Sequence, residues 1–291
     1  MSKPGSASTP TVIGGRRFEW GSRTFVMGIL NVTPDSFSGD GLLAVGAGPG
    51  AAAVEAALVQ ARRMAAEGAD ILDVGGESTR PGHEPVAEDE ERARVVPVIA
   101  AIHAALPDMP ISVDTAKPAV AAAAIEAGAT LLNDVWGVSP DDAMARLAAE
   151  RRVPLILMHN RATPVYVDVV AEVVADLKAA LDRAMAAGMR HEDLIVDPGF
   201  GFGKTPEHNI LVMRGLASLH ALGRPLLLGT SRKSTLGLIL GGVPPEERLE
   251  ATLATTALAI AAGVDIVRVH DVRANVEVAR VSDVIVRGVS L

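Results

Sequence analysis

Three polar side chains that suit a flat, nitrogen-rich ring each follow a short apolar stretch of the sequence. They are Asp114 in ISVDT, Asn133 in LLNDV and Asp197 in LIVDP. Two carboxylates accept hydrogen bonds from adjacent N–H groups, and an amide both donates and accepts them. If the three side chains meet, they suit a heterocycle with an amidine-like edge, such as a pterin or guanine. Each one alone is better explained as a helix cap or a turn residue.

A second group of residues suits an anion. The segment Ser231–Ser234 reads SRKS, and Arg268 and His270 lie on either side of a valine near the end of the chain. In an extended strand the side chains of residues 268 and 270 leave the same face. The chain is acidic overall, with a net charge of −8, so this local cluster favours a phosphorylated ligand clamped by arginine. The alternative is a solvated basic turn.

The few aromatic side chains are also placed unusually. Only five phenylalanines occur in the chain, and Phe37, Phe200 and Phe202 all follow apolar stretches. Flat faces in such loops pack well against planar ligands. The alternative is that they simply cover the barrel. His159 and His270 have no carboxylate partner evident in the sequence, so we interpret them as hydrogen-bonding wall residues before catalytic bases.

Asn31 is a candidate metal ligand. It stands at the end of the apolar stretch VMGILN, where a polar turn begins. Its amide oxygen is a hard ligand, and Mg²⁺ usually takes one or two protein oxygens together with substrate phosphates. The sequence therefore predicts that Asn31 binds Mg²⁺ in company with a phosphorylated ligand.

One pattern relates these residues, since an apolar stretch ending in polar residues and followed by a helix-like segment occurs eight times. The stretches begin at Val26, Ile71, Ile111, Leu131, Leu155, Leu194, Leu226 and Ile266. Helix-like segments run over 51–67, 88–106, 118–127, 165–187, 206–222, 245–262 and 272–287, with another ending at residue 150. Eight such units predict an α/β fold, a single (β/α)8 TIM barrel with its active site at the C-terminal ends of the strands. A doubly wound parallel sheet is the alternative.

Length and composition limit the possible organisation. The 291 residues predict a disordered tail over 1–11 and one barrel domain over 12–291, with a hairpin over 12–24 at the barrel bottom and a glycine-rich lid or insert over 39–50. The absence of cysteine excludes disulfides and thiol catalysis, and the acidic balance gives no general attraction for nucleic acid or anionic membrane. With neither a signal peptide nor an apolar run near the membrane-spanning length of about 20 residues, we expect a cytoplasmic protein.

Eight motifs, taken in order, resemble the dihydropteroate synthase family. They are GILNVTPDSFS, DVGGESTRPG, ISVDTAKP, LLNDV, LMH, DPGFGFGK, GTSRKS and RVHDV, and they extend over nearly the whole chain from Val26 onward. The resemblance implies a transferase of folate synthesis that joins 4-aminobenzoate to 6-hydroxymethyl-7,8-dihydropterin diphosphate and releases pyrophosphate. It further implies Mg²⁺, a homodimer, and no nucleic-acid or membrane partner.

The resemblance also assigns roles to individual residues. The pterin would be held by Asp114, Asn133, Asp197 and Lys233. The metal and diphosphate would meet Asn31, Arg268 and His270. The aminobenzoate would be bordered by Thr79, Arg80, Pro81, Phe202 and Ser231. A mobile loop would carry Asp35, Ser36 and Phe37, and the catalytic residues would be Asp35, Asp114 and Lys233.

The chain departs from the family pattern at Gly39, Ala116 and Asn160-Arg161. Two alternatives to the predicted reaction remain at this point. Corrinoid-dependent methyltransferases share the pterin barrel, but they would have no reason for the anion site at Ser231-Arg232-Lys233. A non-catalytic pterin-binding paralogue would have no reason to retain ESTRPG and SRKS intact.

Overall fold

A computed structural model describes residues 9–33, 50–77, 86–137 and 142–290 of the protein. Two short strands come first, β1 (Thr11–Ile13) and β2 (Arg16–Phe18). Eight parallel strands follow, and each is succeeded by at least one helix. They are β3 (Phe25–Asn31), β4 (Ile71–Gly75), β5 (Ile111–Asp114), β6 (Leu131–Asp134), β7 (Leu155–Met158), β8 (Leu194–Asp197), β9 (Leu227–Leu228) and β10 (Ile266–Val269).

The eight strands close into a barrel. Their order is β8, β7, β6, β5, β4, β3, β10 and β9. The ring closes between β8 and β9, where Val196 pairs with Leu226 in parallel and its N–H donates to the carbonyl of Pro225 at 3.0 Å. The predicted (β/α)8 fold is therefore confirmed, and the flat doubly wound sheet is excluded.

Helices surround the barrel and fill the intervals between strands. Within the described residues they are α1 (Ala51–Ala66), α2 (Glu88–Ala105), α3 (Pro118–Ala127), α4 (Ala143–Arg151), α5 (Val169–Ala186), α6 (Pro206–Arg214), α7 (Ser234–Ile239), α8 (Leu249–Ala261) and α9 (Val272–Arg287). Outward-facing aliphatic side chains of the strands and inward-facing ones of the helices form the larger hydrophobic core. No helix in the described ranges is long and apolar enough to cross a membrane.

Two helices end at glycine, one where the sequence predicts the end and one earlier than predicted. Gly128 ends α3 with φ +116°, a conformation that suits glycine. The helix predicted over 206–222 is interrupted at Gly215, where a side-chain carbon would lie 2.7 Å from Val170, and a 3₁₀ helix over Leu216–Leu222 follows. The segment predicted over 245–262 begins with a 3₁₀ turn, Pro245–Glu247, and α8 follows it. The short helix α7 was not predicted.

The alternation of side chains along the strands divides the barrel interior into two layers. Near the N-terminal ends of the strands the inward residues are apolar and belong to one cluster, which contains Met27, Ile71, Leu131, Ile156, Ile195, Leu227 and Ile266. Successive side chains point to opposite faces, so the residues two positions further along also face inward. On β4, β6, β8 and β10 these are the polar residues Asp73, Asn133, Asp197 and Arg268. The chemistry predicted from the sequence is therefore gathered at one end, the mouth of the barrel.

The opposite end of the barrel is plugged by aromatic residues. Strands β1 and β2 form an antiparallel hairpin whose turn, Gly14-Gly15, has positive φ at both positions. Phe18 and Phe25 pack at 4.8 Å between ring centroids, and Trp20 lies 5.4 Å from Phe25. β1 begins at Thr11, one residue before the predicted hairpin, and residues 1–8 lie outside the described ranges.

Candidate active site

Polar residues from six of the eight strands meet in the upper layer of the barrel. β-Register places Asp73 beside Ser112, and Asp114 beside both Gly75 and Asn133. The remaining contributors are Asn31, Asp197 and Arg268, on β3, β8 and β10. The structure thus brings Asp114, Asn133, Asp197 and Arg268 to one mouth, as the sequence predicted.

Arg268 forms the centre of this layer. Its Nε donates to Oδ2 of Asp73 at 2.6 Å, and its Nη2 donates to Oδ2 of Asp114 at 2.6 Å. The amide of Asn133 donates to the same oxygen of Asp73 at 3.2 Å. One arginine therefore joins β10 to β4 and β5 across the intervening β3, and the sequence prediction of Arg268 as a pure anion clamp misses this arrangement. Asp73, which has no solvent-exposed surface, was not identified from the sequence.

Two carboxylate oxygens of this layer have no hydrogen-bond partner in the described part of the chain. They are Oδ1 of Asp73 and Oδ1 of Asp114, and both are buried. A buried acceptor without a donor is costly, and native proteins rarely leave one so. Asp114 is the last residue of β5, at the mouth of the barrel, so its unpaired oxygen suits an N–H donor of a bound ligand.

Burial raises the pKa values of two carboxyl groups of the mouth, Asp114 and Asp197, towards neutral pH. It raises the pKa of Asp114 to about 7, against the attraction of Arg268 and with a further rise from Asp73. Burial likewise raises the pKa of Asp197 to about 6, although a hydrogen bond from the backbone of Gly199 opposes it. Burial lowers the pKa of Arg268, but the charges of Asp73 and Asp114 outweigh it and hold that pKa above its usual value. The mouth therefore keeps a permanent cation among acids that titrate near physiological pH.

Asp197 leads into a loop built almost entirely of glycine and phenylalanine, Gly199–Gly203, which we call the glycine loop. The carboxylate of Asp197 accepts the N–H of Gly199 at 2.7 Å, which fixes the start of the loop. Gly201 has φ +82°, and a side-chain carbon there would lie 3.1 Å from the stem of Lys233. Lys233 crosses the loop and its Nζ lies 3.8 Å from the ring centroid of Phe202, a cation–π contact.

The loop after β9 joins the loop after β10 through two bonds. Oγ of Ser231 lies 3.0 Å from Nδ1 of His270, and it accepts the backbone N–H of His270 at 3.1 Å. Ser231 therefore lies against His270, as expected from their common place in the predicted anion group. Its role at the aminobenzoate, which the family resemblance implies, stays a prediction.

Arg232 turns the chain between Ser231 and Lys233. Its φ is +58°, the left-handed region that non-glycine residues rarely adopt. Both carboxylate oxygens of Asp271 accept from its guanidinium, at 3.0 and 2.7 Å, and Arg248 donates to its carbonyl at 2.8 Å. The strained turn is thus held by an ion pair to the next strand end, a role that the motif SRKS does not disclose.

Asn31 ends β3 at the rim of the mouth. Its Oδ1 and the Oδ2 of Asp114 both lie 3.8 Å from the position of a side-chain carbon on Gly75, so this glycine leaves the space between them open. Among the described residues no group of three acidic, histidine or cysteine side chains could cage a metal ion. The donors fit Mg²⁺ held by one protein amide oxygen and mainly by the oxygens of a phosphorylated ligand.

His159 is fully engaged at the end of β7. Its Nε2 lies 3.1 Å from Oδ2 of Asp176 and its Nδ1 lies 2.9 Å from Nζ of Lys204. Burial lowers the pKa of His159 to about 4, and the charge of Lys204 lowers it further. A neutral ring with both nitrogens occupied supports the interpretation of His159 as a wall residue.

A scan against protein-family models matches residues 27–270 to the pterin binding enzymes. Dihydropteroate synthase from Clostridium beijerinckii is 49% identical over 276 residues, covering 94% of this chain and 99% of that protein, and the one from Bacillus subtilis is 48% identical, covering 90% and 88%. This chain belongs to the dihydropteroate synthase family.

Solved structures of the dihydropteroate synthase family have the same fold as this chain over nearly its whole length. The enzyme from Clostridium difficile, crystallised in the presence of pteroic acid, is 48% identical with a TM-score of 0.86, and the match covers 93% of this chain and 99% of that one. The enzyme from Xanthomonas albilineans in complex with 7,8-dihydropteroate is 41% identical with a TM-score of 0.85, covering 95% and 98%.

Some predicted residues of the dihydropteroate synthase motifs lie outside the described ranges. They are Asp35, Ser36, Phe37, Thr79, Arg80 and Pro81, together with nearly all of the predicted lid over 39–50. Their assignments stay predictions. At the root of the ESTRPG motif, Glu77 is described, and its carboxylate accepts from Nζ of Lys117 at 2.5 Å.

Proposed function

We infer that this chain joins 4-aminobenzoate to 6-hydroxymethyl-7,8-dihydropterin diphosphate, yielding 7,8-dihydropteroate and pyrophosphate. The observation that carries this is the meeting, in one barrel mouth, of the acceptors Asp114, Asn133 and Asp197 with the cations Arg268 and Lys233. The pterin ring has adjacent N–H donors and its diphosphate is an anion, so the two halves of one substrate match the two halves of the mouth. The solved relatives with pteroic acid and dihydropteroate support the same substrate pair.

Four residues hold the pterin in this proposal. The buried carboxylate of Asp197 and the amide of Asn133 accept from and donate to the heterocyclic edge, and the unpaired Oδ1 of Asp114 accepts a further ring N–H. Lys233, which lies across the glycine loop, covers the ring from the side of Phe202. Charge-assisted hydrogen bonds of this kind give both affinity and orientation.

The reaction separates charge at the methylene group. The bond between the methylene carbon and the diphosphate oxygen breaks, and both electrons leave with the diphosphate. Asp114 and the electron-rich ring stabilise the remaining pterin-methylene cation, while Arg268 and His270 stabilise the leaving anion, an electrostatic contribution prepared before the reaction. The amine nitrogen of 4-aminobenzoate then attacks the carbon and loses a proton. Asp114 and Lys233 are thus the proposed catalytic residues among those described, with Asp35 a third beyond them.

The aminobenzoate is proposed to bind beside the glycine loop. Phe202 offers a flat face there, and Ser231 lies two residues before Lys233, whose Nζ contacts that face. Thr79, Arg80 and Pro81 complete the proposed border. The amine must approach the methylene carbon while water is excluded, so the proposal requires these loops to hold a fixed position when the second substrate binds.

Mg²⁺ is the proposed cofactor, held by Asn31 and the diphosphate. When bound, it would neutralise part of the negative charge of the leaving group. The chain's own contribution is the amide oxygen of Asn31, whose side chain makes no hydrogen bond with any described residue.

We also propose that the protein acts in the cytoplasm as a homodimer. Exposed apolar side chains on α7 and α8, among them Leu238, Ile239 and Leu258, supply a surface that association would bury. Light scattering after size exclusion checks this, since a dimer of the wild type should become a monomer in Leu258→Glu. A wild type that stays monomeric at micromolar concentration contradicts the dimer.

One assay tests the reaction. Purified protein is supplied with 4-aminobenzoate, the pterin diphosphate and Mg²⁺, together and with each omitted in turn. Pyrophosphate and dihydropteroate should form only when all three are present. Methyl transfer to a corrinoid, or pterin binding without turnover, would replace the proposal by one of the two alternatives.

A further inference from the structure

Lys204 lies directly behind the glycine loop and holds it at three points. Its Nζ donates to the carbonyl of Gly199 at 3.0 Å, to the carbonyl of Phe202 at 3.1 Å and to Nδ1 of His159 at 2.9 Å. An ammonium group has three N–H donors, and all three are used. The first two bonds grip the two ends of the turn that presents Phe202.

The glycine loop is anchored in the hydrophobic core by the buried side chain of Phe200, and its glycines lie against the neighbouring backbone. A side-chain carbon on Gly199 would overlap the carbonyl oxygen of His159, and one on Gly203 would overlap the backbone of Arg161. Both positions therefore bring the loop backbone directly against the end of β7. Besides Lys204, three side chains from outside the loop bond its backbone. Asp197 accepts from Gly199 and Asn209 accepts from Gly201, each at 2.7 Å, and Tyr166 donates to the carbonyl of Gly203 at 2.8 Å.

The position of His159, which accepts from Lys204, is itself fixed by hydrogen bonds. His159 is neutral, so its Nδ1 accepts from Lys204 and its Nε2 donates to Asp176 at 3.1 Å. Asp176 also accepts from Arg161 at 2.7 Å, which ties the network to α5. The result is a continuous chain of bonds from a helix on the outside of the barrel to the peptide that carries Phe202.

We propose that Lys204 is a positioning residue for 4-aminobenzoate, holding the glycine loop so that Phe202 presents a preformed face to that substrate. The inference deepens the proposed function and rests on it. Lys204 touches neither substrate in this proposal. It acts through Phe202, whose ring carries the contact with Lys233 at 3.8 Å. Of the four residues proposed for the pterin, Asp114 and Asn133 lie on β5 and β6, whereas Asp197 accepts the N–H of Gly199 and Lys233 lies against Phe202. Two of the four pterin contacts are therefore outside the loop, and pterin affinity should depend on Lys204 less than aminobenzoate affinity does.

The charge of Lys204 gives the proposal a pH signature. Burial lowers the pKa of Lys204 to about 7, and the facing charges are Asp197, which raises it, Arg161 and Lys233, which lower it, and Asp176, which raises it. Above that pH the amine keeps only two N–H donors for three acceptors. The grip on the loop should therefore weaken as pH rises from 6 to 8.5, and the KM for 4-aminobenzoate should rise about threefold, the scale of one lost hydrogen bond.

The decisive variant is Lys204→Met, which keeps the length of the stem and removes the donors. We expect its KM for 4-aminobenzoate to rise at least about tenfold, since two to three hydrogen bonds are lost. Its dissociation constant for the pterin diphosphate, measured by calorimetry, should change less than about threefold, and the pH-dependent rise of KM should vanish. Lys178→Met, which removes an exposed lysine of α5 paired with Asp182, is the matched control and should behave as wild type.

A second variant guards against misfolding of the first. Tyr166→Phe removes the bond to the carbonyl of Gly203 and leaves the bonds of Asp197 and Asn209 to the loop in place, so it should raise the same KM by about threefold. Amide hydrogen exchange, measured without substrates, should be faster over residues 199–203 in both variants and unchanged in Lys178→Met.

The outcomes separate this inference from the proposed function. Equal losses of affinity for the two substrates, or unchanged exchange in the loop, would show that Lys204 only stabilises the fold and would overturn the inference. Failure of the wild type to release pyrophosphate would overturn the proposed function instead, while the exchange experiment would still report on the grip of Lys204.

Discussion

The guanidinium of Arg268 is hydrogen-bonded to the carboxylate of Asp114, with 2.6 Å between Nη2 and Oδ2. A second bond of the same length joins Arg268 to Asp73. The residue predicted for the leaving diphosphate is therefore also the counter-ion of the residue predicted for the pterin. Binding of the ring and binding of the anion should be energetically coupled through this one side chain.

Replacement of Arg268 by methionine tests that coupling. The change leaves Asp73 and Asp114 as buried neighbours without a cation, so we expect a loss of about 3–5 kcal/mol in the free energy of unfolding. The variant should also bind the unphosphorylated hydroxymethyl pterin at least about tenfold more weakly, as well as the diphosphate, because protonation of Asp114 removes an acceptor. Calorimetry of both ligands and urea denaturation measure these effects. If only the diphosphate loses affinity, Arg268 leaves Asp114 in the complex and serves the anion alone.

Asp197→Asn should weaken pterin binding while preserving the shape of the mouth. The substitution keeps an acceptor for the N–H of Gly199 but removes the negative charge facing the ring. We expect a loss of about 1.5–3 kcal/mol of binding free energy at pH 8, the scale of a charge-assisted hydrogen bond. Because the wild-type carboxyl has a pKa near 6, the difference between the two proteins should shrink as pH falls below that value. An unchanged affinity in a folded variant, checked by circular dichroism, contradicts the assignment.

The same substitution should change how stability depends on pH. Burial raises the pKa of Asp197 from its ordinary value of 3.8 to about 6, so the folded state binds its proton more tightly than the unfolded state. The stability that this provides is fully present below pH 4 and is lost as pH rises through 6. Asp197→Asn should therefore lose less stability than wild type between pH 4 and 8, by about 1–3 kcal/mol. Urea denaturation at both pH values measures this, with Asp182→Asn on the exposed face of α5 as control.

Asn31→Ala should affect the metal more than the pterin. The amide oxygen is the proposed protein ligand, so its removal should raise the Mg²⁺ concentration for half-maximal activity by at least about tenfold. Affinity for the unphosphorylated pterin, measured without metal, should stay within a factor of about two, because no bond joins Asn31 to the pterin residues. A metal requirement that does not shift would exclude Asn31 as a ligand.

Gly199→Ala should be among the most damaging changes in the glycine loop. Its φ is +68°, which costs a non-glycine residue about 1–2 kcal/mol, and the new methyl group would overlap the carbonyl of His159. The matched control is Gly50→Ala, since Gly50 has no atom within 4 Å of the position of a side-chain carbon. Thermal unfolding should show a clear decrease for the first variant and little change for the second. Equal melting temperatures would mean that the loop can move away from β7 without cost.

The repeating pattern of the sequence was sufficient for the barrel and for the members of its mouth. Parallel strands place their C-terminal residues at one end, so Asp114, Asn133, Asp197 and Arg268 could be grouped from position alone. Their mutual bonds could not, because strand order and register decide which side chains become neighbours. Asp73 illustrates this, since in the sequence it is one acid within ILDVG, and only its register opposite Ser112 turns it inward towards Arg268.

Lys204 and Arg232 show a second reason for incomplete prediction. Gly203-Lys204-Thr205 reads as a helix start, and nothing local indicates that the lysine turns back to the carbonyls of Gly199 and Phe202. Arg232 reads as an anion ligand beside Lys233, but its guanidinium is occupied by Asp271. The roles of Lys204 and Arg232 depend on contacts between loops that are far apart in the sequence.

The short helix α7 was not predicted for a local reason, since its six residues are too few to show a helical period.

The aromatic plug has a spectroscopic consequence. It contains Trp20, which is 7% exposed, while the second tryptophan of the chain, Trp136, is 59% exposed just beyond β6 at the mouth. The two indoles therefore lie at opposite ends of the barrel, and one is buried while the other is exposed to solvent. Their emission should differ in wavelength and in quenching by iodide, so a single fluorescence spectrum can distinguish opening of the barrel floor from an event at the rim. Substituting either indole by phenylalanine would assign each band, which makes the protein a reporter on its own two ends.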